Sequence, residues 1–282
     1  MIKRLEEQDF ERYAEFAYEL ALDMTKSGYP TYADGVKTKE DFMERSRKAF
    51  SRENEDILLF ERDGKVTGWV HYYHLPEDHY LDTCSFCIAE GMDEAIAEFT
   101  AFAREKFPGC ELYLGFPEEN REVVTALIAG GFTCIEESCN DILDFANYEL
   151  HPESETVVLI TKENYGPFAE LHSQHKGMYW NSERILNAID EWNIFALLRN
   201  GKAVGAVYLR KDDSTPEIFG IDFEDGVYDS AVYRALLTAM LNDCKRQGAQ
   251  HLFFFHDEES QPDALACGFR CVGKYVCYRT EL

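Results

Sequence analysis

Histidines set three apart on a helix and carboxylates beside aromatic breaks are the parts of this chain that could do chemistry. His172 and His175 lie in a helical pattern and share one face at that spacing. Such a pair can hold a metal when a third ligand converges, yet the sequence carries no HExxH-type motif that would supply one. His71, His74 and His79 cluster with Glu77 and Asp78. On a strand His71 and His74 point to opposite faces, so they are expected as hairpin and loop histidines in an acidic patch. Cys84 and Cys87 form a lone CxxC in an apparent strand, where a separation of three sends them to opposite faces. Nine cysteines, an odd number with no second CxxC, read as reduced and mostly buried thiols, with no metal expected.

What must position these groups is a scaffold that occurs twice. Residues 57–70 align with 194–207, and residues 127–135 with 264–272, both at an offset of 137 positions. Two matches in the same order at one offset imply a duplicated domain, because solenoid repeats run only about 20 to 50 residues. The boundaries read as one domain over 1–146, a polar linker over 147–156 containing His151-Pro152, and a second domain over 157–282. Either half is long enough to bury its own core.

In the first copy the pattern predicts a strand at 2–5, a helix over 9–24 capped by Asp9, and a second helix over 38–51. A hairpin over 57–62 and 66–73 turns on Asp63-Gly64, a pair that supplies the positive φ values a tight turn needs. Strand 84–89, helix 93–106, strand 111–116, helix 121–129 and one or two strands over 133–145 complete it. The second copy repeats the series: strand 157–160, a helix from 164, a short helix over 182–190, and a hairpin turning on Asn200-Gly201. Strand 217–223, helix 229–246, strand 251–256, helix 262–266 and strand 271–279 end the chain. Antiparallel hairpins mixed with crossover helices make the class α+β, or α/β in looser usage.

The net charge of −25 is uneven: residues 1–150 hold 33 acids and 15 bases. That surface repels nucleic acid and anionic membranes. No apolar run approaches the about 20 residues of a membrane span, and the first residues lack a signal-peptide core, so a cytoplasmic protein is expected. The oligomeric state is not legible.

The element order, the Gly-Lys hairpins and the two late Gly-Phe turns at Phe132 and Phe269 resemble the GNAT-type N-acetyltransferase superfamily, here as a tandem. The resemblance implies acetyl-CoA as donor and a small amine, cationic or aromatic, as acceptor. It implies a pyrophosphate loop of the form [Arg/Gln]-x-x-Gly-x-[Gly/Ala] before the third helix of each copy. Both copies depart from it. The first reads Ile88-Ala-Glu-Gly91-Met-Asp-Glu94, with no Lys or Arg between 66 and 103, and is expected not to bind CoA. The second reads Phe223-Glu-Asp-Gly226-Val227, with Arg234 following, and is the better candidate. There Ile221 and Phe223 would hold the pantetheine arm, and Gly226, Val227 and Arg234 would lie at the phosphates.

The resemblance also places a proton-donating tyrosine where this chain has Leu127 and Ala264, so that acid is missing from both copies. A carboxylate on the fourth strand is the usual base, which makes Asp222 the candidate, with Asp82 its counterpart in the first copy. The break between the first two helices shapes the acceptor pocket, which selects Tyr29 and Tyr32 in one copy and Tyr179 and Trp180 in the other. Aromatic walls beside carboxylates suit a cation or a hydrophobic amine. The alternative reading is a non-catalytic GNAT-fold protein that binds a small molecule or a protein partner. Transfer from an aminoacyl-tRNA is disfavoured by the acidic surface.

Overall fold

The computed structural model describes residues 1–211 and 216–282, in two compact units. One comprises Met1–Ser138 with Gly273–Leu282, the other Cys139–Val272. The units therefore do not divide at 147–156. The long strand that ends each repeat runs on past its own copy, so residues 139–144 belong to the second unit and 273–282 to the first. Among the described residues no helix is long and apolar enough to cross a membrane.

In the first unit the elements are β1 (Ile2–Arg4), α1 (Phe10–Ala21), α2 (Lys39–Arg47), β2 (Glu55–Arg62), β3 (Lys65–Leu75), β4 (Tyr80–Ile88), α3 (Met92–Lys106), β5 (Glu111–Pro117) and α4 (Arg121–Ala129). β6 (Thr133–Asp144) is a single long strand. In the second unit come β7 (Val157–Leu159), α5 (Gly166–Leu171), α6 (Ser182–Asn187), β8 (Trp192–Arg199), β9 (Lys202–Arg210), β10 (Glu217–Phe223), α7 (Ser230–Gln247), β11 (His251–His256) and α8 (Gln261–Ala266). β12 (Arg270–Glu281) closes the chain.

The strands of each unit pair in both senses. The first pairs β1 to β4 antiparallel in sequence order, β4 to β5 parallel, and β5 antiparallel to β12. The second pairs β7 to β10 antiparallel, β10 to β11 parallel, and β11 antiparallel to β6. Helices cover each sheet on both faces. In the first unit Phe86, Phe99, Phe116 and Leu127 fill the α3–α4 side, and Phe10, Phe42, Ile57 and Trp69 the α1–α2 side. In the second unit Val207, Leu236, Leu237 and Phe254 pack under α7 and α8, while Phe168, Ile185, Trp192 and Tyr208 pack under α5 and α6. Each such side chain contributes about 1.5–3 kcal/mol by leaving water.

Local chemistry explains the boundaries. Asp63 and Gly64 take φ of 48° and 75°, and Asn200 and Gly201 take 52° and 80°, as their turns require. Thr38 and Asp41 form a reciprocal capping box at α2. Asp9 makes no capping hydrogen bond, contrary to expectation, because it already lies in a 3-10 turn over Glu7–Asp9. The expected separation of Cys84 and Cys87 also fails. The β3–β4 register shifts between His71 and Tyr72, and this bulge turns Cys84 toward Arg45 of α2, on the face where Cys87 packs.

Candidate active site

The parallel pair at the centre of each sheet holds together only at its start. β4 and β5 pair at Tyr80–Glu111 and Leu81–Leu112, and β10 and β11 at Glu217–Phe253 and Ile218–Phe254. Beyond these points the strands splay and leave main-chain groups on β4 and β10 without a strand neighbour.

The first unit fills its own splay. Residues 26–29 enter as an extended segment: Ile88 N donates to Lys26 O at 2.9 Å, Gly28 N to Phe86 O at 2.7 Å, and Tyr29 N to Gly115 O at 2.9 Å. Gly28 is required there, since a Cβ would lie 3.0 Å from Gly115 O and 3.2 Å from Phe86 and Phe116. Tyr275 packs edge-on to Tyr29 at 4.9 Å and covers Gly115, closing the gap with side chains as well. In the second unit no segment among the described residues pairs with residues 219–223 on the β11 side. Ile221 and Phe223 are half-buried and Phe219 is exposed.

Within that open stretch Asp222 turns to the α5 face. His172 Nδ1 lies 2.7 Å from Asp222 Oδ2, and His175 Nε2 lies 2.8 Å from Asp222 Oδ1. Tyr208 Oη donates to Asp222 Oδ1 at 3.4 Å. The two histidines meet one carboxylate because residues 172–175 form a 3-10 turn, whose three residues per turn stack i over i+3. His172 is buried, stacked on Phe168, and its Nε2 donates to Trp180 O at 3.1 Å. Each of its nitrogens thus faces an acceptor. The His175 side chain is 27% exposed, so its Nδ1 is the imidazole nitrogen open to a ligand. Burial alone would raise the Asp222 pKa, but the hydrogen bonds from His172 and His175 outweigh it and hold it below the usual carboxylate value. The bond to Asp222 raises the pKa of His175 above its ordinary 6.5.

These three groups are also a donor set for a divalent ion, their ligand atoms lying within 4.8 Å of one another. Ligand atoms around a tetrahedral zinc at about 2.0–2.1 Å stand about 3.3 Å apart. Contacts of 2.7 and 2.8 Å are hydrogen-bond lengths, so the three groups are joined to one another by hydrogen bonds.

The first unit carries a different polar cluster on its α2 face. Glu55 accepts from Arg45 Nη1 at 2.7 Å, Arg52 Nη1 at 2.6 Å and pairs with His71 Nε2 at 2.8 Å. Arg45 Nη2 reaches Cys84 Sγ at 2.8 Å. Although Glu55, His71 and Cys84 could ligate a metal, two guanidiniums already supply the compensating charge. Burial opposes ionisation of Glu55, but His71, Arg45 and Arg52 together drive its pKa well below the carboxylate range. Burial pushes the Cys84 thiol up to about 12, so it is no nucleophile.

The other expected residues fall in two places. Tyr179 and Trp180 lie beside the His172 turn, Tyr179 half exposed under Arg184 and Trp180 under Arg210, with Trp192 and Phe219 continuing the aromatic wall. Tyr29 sits in the filled splay of the first unit, and Tyr32 packs against Phe42 and Tyr18 in that unit's core, so neither lines an open pocket there. Asp82 is half-buried, accepts from Tyr80 Oη at 2.7 Å and Thr83 N at 2.6 Å, and meets no histidine among the described residues. Burial raises its pKa to about 6.

At the start of α7 the chain provides its own anion. Asp229 accepts from Ala231 N at 2.9 Å and Val232 N at 3.1 Å. Arg234 faces Asp263 at 3.5 Å, Lys202 is held by Glu224 at 2.7 Å, and Val227 is exposed next to Gly226. In the first unit Arg62, from the end of β2, reaches Gly91 O at 3.3 Å and Glu94 at 2.7 Å. Sequence distance hid this cation from the α3 N-terminus.

No protein-family model matches the sequence, and no curated protein does. Solved structures do match. A GCN5-related N-acetyltransferase from Sphaerobacter thermophilus superposes with TM-score 0.67 at 12% identity, over 100% of this chain and 95% of that one. A tandem GNAT protein from the clavulanic acid biosynthesis pathway gives 0.59 at 12% identity, over 100% and 98%. A GNAT-family acetyltransferase from Colwellia psychrerythraea gives 0.51 at 12%, over 99% of each chain. The chain therefore has the tandem GNAT fold, with mixed sheets flanked by helices, as its repeats and turns led one to expect.

Acetyl-CoA, which this fold implies, fits the second unit only in part. The open main chain of residues 219–223 suits an amide-bearing arm. The α7 N-terminus does not suit a diphosphate, because Asp229 occupies two of its amides and Glu224, Asp225 and Asp263 surround it.

Proposed function

We propose that the second unit is an N-acyltransferase in which His175, oriented by Asp222, is the general base. The observation that carries this reading is the His172–Asp222–His175 cluster on a central strand whose edge is open among the described residues. The acyl thioester lies with its arm along residues 219–223, and a small amine enters beside His175, Tyr179 and Trp180. With Nε2–H directed at Asp222, His175 Nδ1 holds the lone pair that takes the amine's proton. The amine nitrogen bonds to the acyl carbon, the C–S bond breaks, and the thiolate takes a proton from water. A thiol pKa near about 8.5 lets it leave without the absent tyrosine. The first unit, its splay filled by residues 26–29, takes no part in transfer and serves as scaffold.

The test is amine-dependent thiol release from acetyl thioesters, followed against pH over a panel of aromatic and cationic amines. Activity should rise with pH through a limb above 6.5, because the base form of His175 appears only as its raised pKa is passed. His175→Ala should lower kcat by about 10²–10⁴ with little change in KM and remove that limb. Wild-type protein that releases no thiol with any amine, or a His175→Ala variant that keeps its rate, would sink the reading.

A further inference from the structure

We infer that the thioester donor of the second unit is an uncharged amide arm, of the pantetheine type, without a nucleotide diphosphate. The inference rests on the transfer reading above for the acyl end, but its argument comes from comparing the two units. Strand register fixes the correspondence. Phe86 pairs with Val70 and Ile221 with Val207, while Ile88 pairs with Gly68 and Phe223 with Gly205. Val70 and Val207, like Gly68 and Gly205, are equivalent in the repeat. The counterparts of Phe86 O and Ile88 N are therefore Ile221 O and Phe223 N.

In the first unit those two groups accept from Gly28 N and donate to Lys26 O. The molecule thus displays what the slot is shaped to hold: an extended chain offering one amide N–H and one amide C=O. The slot in the second unit presents the same acceptor and donor, and a pantetheine arm carries two such amides in a row. Its apolar flanks, Phe219, Ile221 and Phe223, ask for no charge on the ligand.

Beyond the slot the charge is wrong for phosphate. The Asp229 carboxylate already satisfies the amides of Ala231 and Val232, where an anion would otherwise bind. Both nearby cations are engaged, Lys202 by Glu224 and Arg234 by Asp263. A diphosphate would have to displace Asp229, meet Glu224, Asp225 and Asp263, and compete with Glu224 and Asp263 for Lys202 and Arg234.

Calorimetry on the full chain with pantetheine, 4′-phosphopantetheine and CoA tests this directly. Pantetheine should bind at least about tenfold more tightly than CoA, with the monophosphate between them. Asp229→Ser keeps a capping oxygen while removing the charge, and should narrow the gap by about tenfold. CoA binding as tightly as pantetheine, or no binding by either, overturns the inference. Efficient transfer from acetyl-CoA with no preference for acetyl-pantetheine would overturn it while leaving the His175 mechanism standing. Pantetheine binding without transfer from its acetyl thioester to any amine would do the reverse.

Discussion

The first unit gathers Glu55, His71 and two arginines into one ion cluster and fills the gap in its sheet with its own backbone; the second leaves the gap open and holds Asp222 between two histidines at its edge. Equivalent strand positions make the contrast sharp. Asp222 pairs across to Ala206, and Cys87 pairs across to Trp69, the same place in the other copy. One is a carboxylate held by two imidazoles, the other a thiol raised to about 12 by burial. A scaffold that is repeated can therefore keep its turns and its core while the polar groups on equivalent strand positions differ between the copies. The difference teaches that repetition in sequence is evidence of packing, and that chemistry must be argued copy by copy.

The largest break in this contrast should come from Asp222→Asn. It leaves the fold in place, misorients His175 and should cost about 10²–10⁴ in amine-dependent thiol release, whereas Cys87→Ala in the first unit should leave the rate unchanged. Equal losses from both would abolish the distinction. Next in size is Glu55→Ala, which takes the carboxylate from the half-buried Arg45 and the buried His71 and should cost about 1–3 kcal/mol in urea unfolding. The same carboxylate sets an acid limit. Because the folded pKa of Glu55 is depressed, its contribution is complete above the unfolded carboxylate value of 4.5 and is lost as pH falls below it.

Gly28→Val should cost about 1–3 kcal/mol, since its side chain meets the backbone of Gly115 and two phenyl rings. A neutral result in thermal unfolding would mean that residues 26–29 are not seated in the splay. The smallest effect belongs to Asp82. With a folded pKa of about 6 against 3.8 unfolded, the folded state holds its proton more tightly. Stability from this group is greatest below 3.8, falls between 3.8 and 6, and stays reduced above. Asp82→Asn should therefore stabilise the protein by about 1 kcal/mol at pH 7 and flatten that slope, as read from unfolding midpoints across pH.

Much of the fold was legible. The hairpins on Asp63-Gly64 and Asn200-Gly201 follow from φ preferences local to two residues, and the strands over 217–223 and 251–256 from their apolar pattern. The site was legible in pieces. His172 and His175 were visible as a pair and Asp222 as a carboxylate on the right strand, but 47 positions separate His175 from Asp222, and nothing local joins them. Arg62 was invisible beside Gly91 for the same reason, and the bulge that turns Cys84 breaks the alternation on which face assignments rest.

The sequence by itself determined the duplication, the α+β class, the turns and the loss of both the phosphate-loop glycines and the proton-donating tyrosines, because each depends on residues close together in the chain. Only the tertiary structure decided which splay is filled, which strand ends belong to which unit, and that two histidines share one carboxylate. Those are contacts between segments far apart in sequence, fixed by the packing of whole elements rather than by the residues that happen to adjoin.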